Sequence, residues 1–380
     1  MEKEKLSMIG HIKDTPRVLK KAYETRNEYM NDIVNAFVDN NFKKVYFLGS
    51  GTSYHVAVVI RNIFVDLLGI EGVAIPPTYF LNHENLNPSG IFKKEEICVI
   101  GFSQHGDSIS TCEALKRAFD ENYYTIAVTE QLNSVLEKFG KAYCHLVCEE
   151  EEIGPETRGY TETIFQFYIQ AIEIAKRKNI IDEKQYEQLD NDAKELMNNL
   201  GSVVDESITW YNKNKEEFLK MTKSSIAGYG YNWATAQESR LKFFETYARP
   251  CTAYEMEEQM HGPLRAYGPE NYIFLIASEG KKELNRLKEV VPYYKDVFTE
   301  HVFVVTSEDD IDICDKDLKL SFKSSDILSP IVYVIPFQVL SALICEDVGI
   351  DTKVSPIKKR YVSSHYPNAR NGNVTDSKKI

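Results

Sequence analysis

The sequence predicts an α/β protein built on two doubly wound parallel sheets. The chain has 380 residues, which is longer than a single hydrophobic core usually grows. Short apolar runs alternate with helical segments in both halves, as in parallel sheets whose faces are covered by helices. A Gly-x-Gly turn follows the first strand of each half, at Gly49/Gly51 and at Gly228/Gly230. These equivalent turns indicate an internal duplication.

The order of elements predicts four regions along the chain. They are an amino-terminal helical segment at 1–40, a first domain at 41–200, a second domain at 201–348 and a carboxy-terminal tail at 349–380. The helical spacing from Ile9 to Asn40 is interrupted at Pro16, where we expect a break. The pattern from Thr161 to Lys220 is almost wholly helical, and the domain boundary is predicted near Gly201.

Buried strands are predicted from short apolar runs next to glycine-rich or polar turns. In the first half they lie at 44–48, 97–102, 124–128 and 143–147, and in the second half at 225–230, 272–277 and 301–305. Helices are predicted at 55–68 and 233–248, with a final apolar helix at 331–348.

Charge and composition exclude several classes of function. The formal net charge of −12 repels nucleic acid and anionic lipid. The seven cysteines form no Cys-x-x-Cys pair, which favours reduced thiols and no required metal or other cofactor. The first residues lack the apolar core of a signal peptide, and no run approaches the roughly 20 apolar residues of a membrane span. We therefore expect a cytoplasmic protein with neither nucleic-acid nor membrane partners.

Small hydroxyl residues follow two strands of the first half. Gly51-Thr52-Ser53 and Ser103-Gln104-His105-Gly106-Asp107-Ser108 each stand where a strand gives way to a helix. Both turns lie at the carboxyl edge of a parallel sheet, where backbone N–H groups at helix starts favour anions. The alternative is that each Ser or Thr is an ordinary helix N-cap. The pair on one edge favours a phosphate site, and no P-loop lysine indicates a nucleoside triphosphate.

A second set of polar residues lies in the second half. Glu238, Lys242 and Glu245 share one helix face, beside an apolar stripe of Leu241, Phe244 and Ala248, and His261 follows soon after. A solvated ion-pair stripe is the ordinary meaning of that spacing, and a lone histidine is usually structural. Carboxylates, an amine and an imidazole could also carry acid–base chemistry on a sugar carbonyl.

Five segments in order resemble the isomerase half of glucosamine-6-phosphate synthase. They also resemble its relatives, the amino-sugar-phosphate deaminases and the fructosamine-6-phosphate deglycases. The segments are 51–53, 102–108, 152–161, the Glu238/Lys242/Glu245 helix and 258–264. The resemblance implies two tandem SIS domains, each a flavodoxin-like three-layer sandwich, flanked by the amino-terminal helix and the tail.

The resemblance also implies roles for individual residues. Gly51, Thr52, Ser53, Ser103, Gln104 and Ser108 would bind the substrate phosphate. Glu245 would move a proton between C1 and C2, His261 would assist ring opening, and Glu238 with Lys242 would surround the reacting carbons. Further substrate contacts are implied for His105, Thr157, Arg158, Arg360 and Tyr361. The histidine would come from the neighbouring subunit, which implies a homodimer with shared sites.

Some residues depart from the synthase pattern. Glu2 follows Met1 where the synthase has the catalytic cysteine of its glutaminase domain, so we expect degradation or isomerisation rather than glutamine-driven synthesis. His105 replaces a serine of the phosphate loop. Residues 356–361 resemble the ending of deglycase-type relatives, whereas Lys242 is closer to the synthase.

The resulting hypothesis is an enzyme that deaminates, deglycates or isomerises a phosphorylated amino sugar or sugar–amine conjugate. Two alternatives remain: a simple aldose–ketose isomerase of a sugar phosphate, and a non-catalytic regulator that binds sugar phosphates. The regulator is disfavoured because Glu245 and His261 are both present and no helix-turn-helix with a basic face is evident.

Overall fold

The structure of the protein is a computed structural model. It describes residues 6–151, 153–278, 280–354 and 363–366. The helices are α1 Met8–Glu24, α2 Arg26–Tyr29, α3 Asn31–Asp39, α4 Thr52–Leu68, α5 Pro77–His83, α6 Ile109–Asp120, α7 Arg158–Arg177, α8 Glu183–Phe218, α9 Asn232–Glu245, α10 Lys281–Val297 and α11 Ser329–Val348. The strands are β1 Lys44–Leu48, β2 Glu71–Ile75, β3 Ile97–Phe102, β4 Tyr124–Thr129, β5 Ala142–His145, β6 Lys223–Gly228, β7 Cys251–Glu255, β8 Asn271–Ala277, β9 Val302–Thr306 and β10 Leu318–Lys319.

The strands form two five-stranded parallel sheets with the same topology. The first has the order β2-β1-β3-β4-β5, and the second, taken from its β7 edge, has the order β7-β6-β8-β9-β10. All neighbouring strands run parallel. This is the flavodoxin-like 2-1-3-4-5 order, repeated. The predicted fold class is confirmed, and the equal strand orders support the duplication inferred from the two Gly-x-Gly turns.

Two compact units contain these sheets. The first-sheet unit comprises Val18–Glu150, Glu162–Asn191 and Pro356–Ile380. The second-sheet unit comprises Met1–Arg17, Glu151–Thr161 and Asp192–Ser355. Each unit draws on separate stretches of chain, and the boundary predicted near Gly201 falls inside the continuous helix α8. The four predicted regions stay predictions.

The expected break at Pro16 is wrong. Pro16 lies inside α1, which continues to Glu24. A proline inside a helix removes one backbone donor and costs about 3 kcal/mol. Ile12, Val18 and Leu19 on this helix are fully buried, and burying such side chains contributes about 1.5–3 kcal/mol each. Burial therefore outweighs the cost of the proline, and α1 is not interrupted there.

Three short strands at the sheet edges were not predicted from the sequence. β2 and β7 are half exposed, with only two of five and one of five residues buried respectively. β10 has two residues. An edge strand that is only partly covered has no continuous apolar run, so the pattern that revealed the central strands is absent.

The expectation of no apolar run long enough for a membrane span also needs correction. The segment Asp326–Val348 passes that test on length and mean hydropathy. However, 89% of its apolar window is buried inside the structure. It packs on α9 and β9 as a core helix of the second-sheet unit.

Candidate functional site

Glycines allow the first turn to pass tightly from β1 into α4. A Cβ at Gly49 would lie 2.4 Å from the carbonyl oxygen of Ser53, and Gly51 has a φ of 59°. The second sheet repeats this close approach, because a Cβ at Gly228 would lie 2.3 Å from the carbonyl oxygen of Asn232. In both units the strand-to-helix turn thus requires a residue without a side chain.

The second turn joins β3 to α6 and is held by its own serines. The Ser108 N–H donates to Ser103 Oγ at 3.3 Å, and the Gly106 N–H donates to the Ser103 carbonyl at 2.9 Å. Ser108 stands at the N-cap of α6 but makes no side-chain cap. Its Oγ instead accepts from the Thr111 hydroxyl at 3.3 Å. The ordinary N-cap alternative therefore does not describe Ser108.

The two turns lie side by side at the point where the strand order of the first sheet reverses. β1 and β3 are neighbours, and their following helices start at this edge. Ser50 Oγ and Ser110 Oγ are 3.2 Å apart, which joins the turns directly. Ligands of open α/β sheets bind at such switch points. The structure thus gathers the six predicted phosphate ligands, Gly51, Thr52, Ser53, Ser103, Gln104 and Ser108, at one edge.

The side chains of this edge differ in burial. Gln104 is buried and its Nε2 lies 3.5 Å from Cys148 Sγ. Ser103 is also buried, whereas Thr52, Ser53, His105 and Ser108 are half-buried. The half-buried group offers hydroxyls and an imidazole to a ligand.

The matching edge of the second sheet has a different character. Its turn is Gly228-Tyr229-Gly230-Tyr231, without a serine or threonine. Tyr229 is 4% exposed and donates its hydroxyl to the Ser278 carbonyl, across the gap between β6 and β8. An aromatic ring thus lies where the first sheet presents hydroxyl residues.

The second group of predicted site residues lies on α9. Lys242 Nζ is 3.2 Å from Glu238 Oε1 and 2.6 Å from Glu245 Oε2. The side chains of Glu238 and Lys242 are fully buried, whereas that of Glu245 is 35% exposed. The alternative of a solvated ion-pair stripe is therefore wrong for Glu238 and Lys242. Charges are seldom buried without a partner, and here the ammonium joins two carboxylates, one of which reaches solvent.

The predicted apolar stripe beside these residues is not buried. Phe244 is 47% exposed, Ala248 is exposed and Leu241 is half-buried. The helix buries Phe243 instead, with Tyr247 just beyond its end. Phe244 and Glu245 are adjacent in α9, and both side chains reach the surface.

Glu156 joins this cluster and was missed as a site residue. Burial raises the pKa of its carboxyl to about 8, the charge of Glu151 adds to this, and Lys242 opposes it. Burial by itself lowers the pKa of the Lys242 ammonium, but the carboxylates of Glu238 and Glu245 outweigh it and raise that pKa. One ammonium thus faces several carboxyls, and Glu156 holds a proton at neutral pH. Its place within the 152–161 segment was the only signal for it in the sequence.

Thr157 and Arg158, predicted to contact substrate, have partners inside the protein. The Glu151 carboxylate accepts from the Thr157 hydroxyl at 2.7 Å, the Thr157 N–H at 3.0 Å and the Gly159 N–H at 2.8 Å. The Arg158 guanidinium pairs with Asp14 at 2.6 Å and is 3% exposed at its side chain. These contacts hold the start of α7 and so fix the backbone on which Glu156 stands. Arg360 and Tyr361 lie outside the described residues.

His261 lies in an exposed loop of the same unit. It follows the one-turn helix Glu258–Met260 and precedes Gly262, whose φ is 118°. The loop is anchored by the buried Gln259, which donates to Ser225 Oγ at 2.9 Å and to Tyr267 Oη at 2.7 Å. The anchor fixes the loop, while the imidazole stays accessible. Within the described part of the chain, no group of three His, Cys, Asp or Glu could hold a metal ion.

Comparison with known proteins gives a family match in the first-sheet region. Residues 40–172 match the sequence profile of the SIS domain family. The match covers the strands β1–β5, whose edge carries the hydroxyl-rich turns.

Relatives extend the likeness beyond residues 40–172. Glutamine--fructose-6-phosphate aminotransferase [isomerizing] of Clostridium tetani is 22% identical over 361 residues, which cover 90% of this chain and 56% of that protein. The chain therefore spans little more than half the length of that relative. A Clostridium difficile 630 protein provisionally named a phosphosugar isomerase has a TM-score of 0.84 at 26% identity, covering 93% of this chain and 96% of that one. Glucosamine-6-phosphate deaminase of Thermotoga maritima shares the fold, with a TM-score of 0.71 at 20% identity, covering 94% and 98%.

Proposed function

We propose that the protein is an enzyme that acts on a 6-phosphorylated amino sugar or fructosamine-type conjugate. The Glu238–Lys242–Glu245 group carries this proposal. Its ion pairs hold the Glu245 carboxylate at the surface, while the side chains of Glu238 and Lys242 are fully buried. Such an arrangement keeps a base ionised and oriented. A buried ion pair rarely adds to the free energy of unfolding, because removing its charges from water is unfavourable, so its presence here favours a functional role.

The first-sheet turns would bind the phosphate group. Hydroxyls from Ser53, Ser103 and Ser108 together with backbone N–H groups at the starts of α4 and α6 suit a phosphate ester. The SIS match over residues 40–172 supports this role. The second-sheet edge, filled by Tyr229, would not share it.

The α9 cluster would carry the proton transfer. Glu245 would take a proton from C1 or C2 and return it to the other carbon, so isomerisation consumes no net reagent. If the product is an imine, one water then releases the amine and leaves a carbonyl. Glu156, protonated at neutral pH because burial raises its pKa to about 8, would supply a proton to an oxygen or nitrogen that gains electron density.

The exposed His261 would assist ring opening from a neighbouring subunit. This role makes the functional protein a homodimer with shared sites. The exposed Phe244 next to Glu245 supports an intersubunit surface at this position, since large apolar side chains at a surface often mark contacts. We further propose that the second sheet is a second SIS domain, because its strand order repeats that of the first.

The cytoplasm is the proposed location. All seven cysteines are free thiols, and six of them are buried. Free thiols suit a reducing compartment. The protein is proposed to need no metal or other cofactor, since proton transfer at a sugar carbonyl requires only acid and base groups.

A simple aldose–ketose isomerase is the second candidate, because the same carboxylate could move a proton in a sugar phosphate without an amine. A panel separates the two: 6-phosphorylated amino sugars, fructosamine 6-phosphate conjugates and plain ketose 6-phosphates are each incubated with the protein. Released ammonia, released amine and aldose are then measured. Amine release with the nitrogen-bearing substrates supports the proposal, and turnover of plain sugar phosphates alone supports the second candidate.

The base is tested with Glu245→Gln in the same assay. We expect kcat to fall by about 10²-fold or more, as for loss of a general base, with substrate binding nearly unchanged. Glu216→Gln is the matched control, because Glu216 is an exposed residue on α8 of the same unit. Turnover that stays at the wild-type level in Glu245→Gln would remove Glu245 from the mechanism. Turnover of no substrate by the wild-type protein, with phosphosugar binding intact, would favour the non-catalytic regulator.

A further inference from the structure

A short segment near the carboxyl end packs on the second hydroxyl turn. The Ile109 N–H donates to the Ser364 carbonyl at 3.0 Å, and the Tyr366 N–H donates to the Asp107 carbonyl at 2.9 Å. The Tyr366 hydroxyl donates to Glu113 Oε1 at 3.1 Å, and its ring packs against the core of the first-sheet unit. The segment 363–366 is thus attached to this turn on both sides of Ser108.

The pairing fixes the direction of one side chain. His365 forms an antiparallel bridge with Ser108. Residues directly opposite in an antiparallel pair point to the same face, with Cβ atoms about 4.5–5.5 Å apart. The imidazole of His365 therefore lies on the same face as the Ser108 hydroxyl.

The imidazole has one nitrogen engaged and the other available. His365 Nδ1 lies 3.0 Å from Ser364 Oγ. Among the residues that the structure describes, Nε2 has no hydrogen-bond partner. When the ring is protonated, Nδ1–H donates to the serine and Nε2–H can donate to an anion.

The two turns themselves supply no cationic side chain for a phosphate ester. Neither 49–53 nor 103–110 contains a lysine or an arginine. Asp107 adds a carboxylate that is 2% exposed, and its Oδ1 makes no hydrogen bond among the described residues. A phosphate monoester brings a further charge of about −1.5 to −2 at pH 7. His105 is the other imidazole at this edge, so any assignment must distinguish the two histidines.

We propose that His365 is a phosphate-binding residue, donating from Nε2 to a phosphate oxygen on the face it shares with Ser108. The inference rests on the proposed function of the two turns. It adds a ligand from the carboxyl end of the chain to a site otherwise built from residues 51–108. The Ser363–Tyr366 segment then orders one wall of the phosphate site.

The test compares three histidine variants of the full-length protein. His365→Ala keeps the backbone bridge to Ser108 and removes only the imidazole. We expect it to raise KM for the phosphorylated substrate and Kd for inorganic phosphate by about tenfold, the loss of one charge-assisted hydrogen bond, with kcat changed less than about twofold. His105→Ala is measured in parallel, and His83→Ala on the exposed end of α5 is the matched control that should leave both constants unchanged.

A Ser103→Ala/Ser108→Ala variant separates the two hypotheses. If it weakens phosphate binding while His365→Ala leaves KM and Kd at wild-type values, the assignment of His365 is overturned and the phosphate site stands. If the serine variant also binds phosphate normally, the phosphate site itself fails. If the serine variant and His365→Ala both bind phosphate more weakly, and their thermal unfolding midpoints are unchanged, the result supports His365 as a ligand.

Discussion

Glu156 provides a quantitative test of the buried acidic cluster. Its carboxyl has a pKa of about 8 in the folded protein, against the ordinary glutamate pKa of 4.5 in the unfolded chain. Between these values the unfolded chain releases the proton and the folded protein keeps it, so folding stability falls as pH rises from about 4.5 to about 8. At 1.36 kcal/mol per pH unit, the interval from pH 5 to pH 7 corresponds to at most about 2.7 kcal/mol. Glu156 is half-buried rather than fully buried, so screening by water reduces the expected loss of stability over this interval to about 1–2 kcal/mol.

Glu156→Gln removes this dependence, because glutamine has the shape of the protonated acid and cannot ionise. We therefore expect the variant to be close to wild-type stability at pH 5 and more stable than wild type at pH 7. Urea unfolding of both proteins at pH 5, 6, 7 and 8 measures the difference. Glu216→Gln, at an exposed site on α8, is the control and should show a difference that does not change with pH. A Glu156→Gln difference that stays constant or shrinks as pH rises would refute the proposed protonation of Glu156.

The other predictions concern the ion pair and the tight turns. Lys242→Met leaves the fully buried Glu238 without its cation, so we expect a loss of about 3–5 kcal/mol in the free energy of unfolding, measured by urea at pH 7; unchanged stability would contradict the burial of this pair. Gly49→Ala forces a Cβ to within 2.4 Å of the Ser53 carbonyl oxygen, and we expect it to lose about 1–3 kcal/mol by thermal unfolding. Gly201→Ala is its counterpart inside α8, where a Cβ meets nothing within 4 Å, and it should gain about 0.5–1 kcal/mol. Equal changes in stability for Gly49→Ala and Gly201→Ala would mean that the close contact with the Ser53 carbonyl does not restrict position 49 to glycine.

The central strands could be predicted because their signal is local. β1 and β3 have the predicted bounds, since each is an apolar run buried on both faces and closed by a glycine or polar turn. The edge strands could not be predicted, because β2 and β7 are only partly buried and have no continuous apolar run. Pro16 shows the converse: a local helix breaker was overridden by burial of apolar side chains around it.

For the site, the sequence could indicate which residues share an edge or a helix face. The two hydroxyl turns follow neighbouring strands, so parallel-sheet topology was enough to bring Ser53, Ser103 and Ser108 to one edge. The sequence could not distinguish a solvated stripe from a buried ion pair, because Glu238 and Lys242 have the same i, i+4 spacing in either case. It also offered no way to recognise His365, whose relation to Ser108 depends on a backbone bridge across more than 250 residues of chain.

By itself, then, the sequence determined the α/β class, the central strands, the duplicated Gly-x-Gly turns and the residues able to carry acid–base chemistry, because each depends on nearest-neighbour patterns. Only the tertiary structure decided which of those charges are out of water, which carboxyl keeps its proton and which distant segment packs on the second hydroxyl turn. The physical reason is that burial and electrostatic coupling depend on what packs against a residue, and most of those neighbours are remote in the chain.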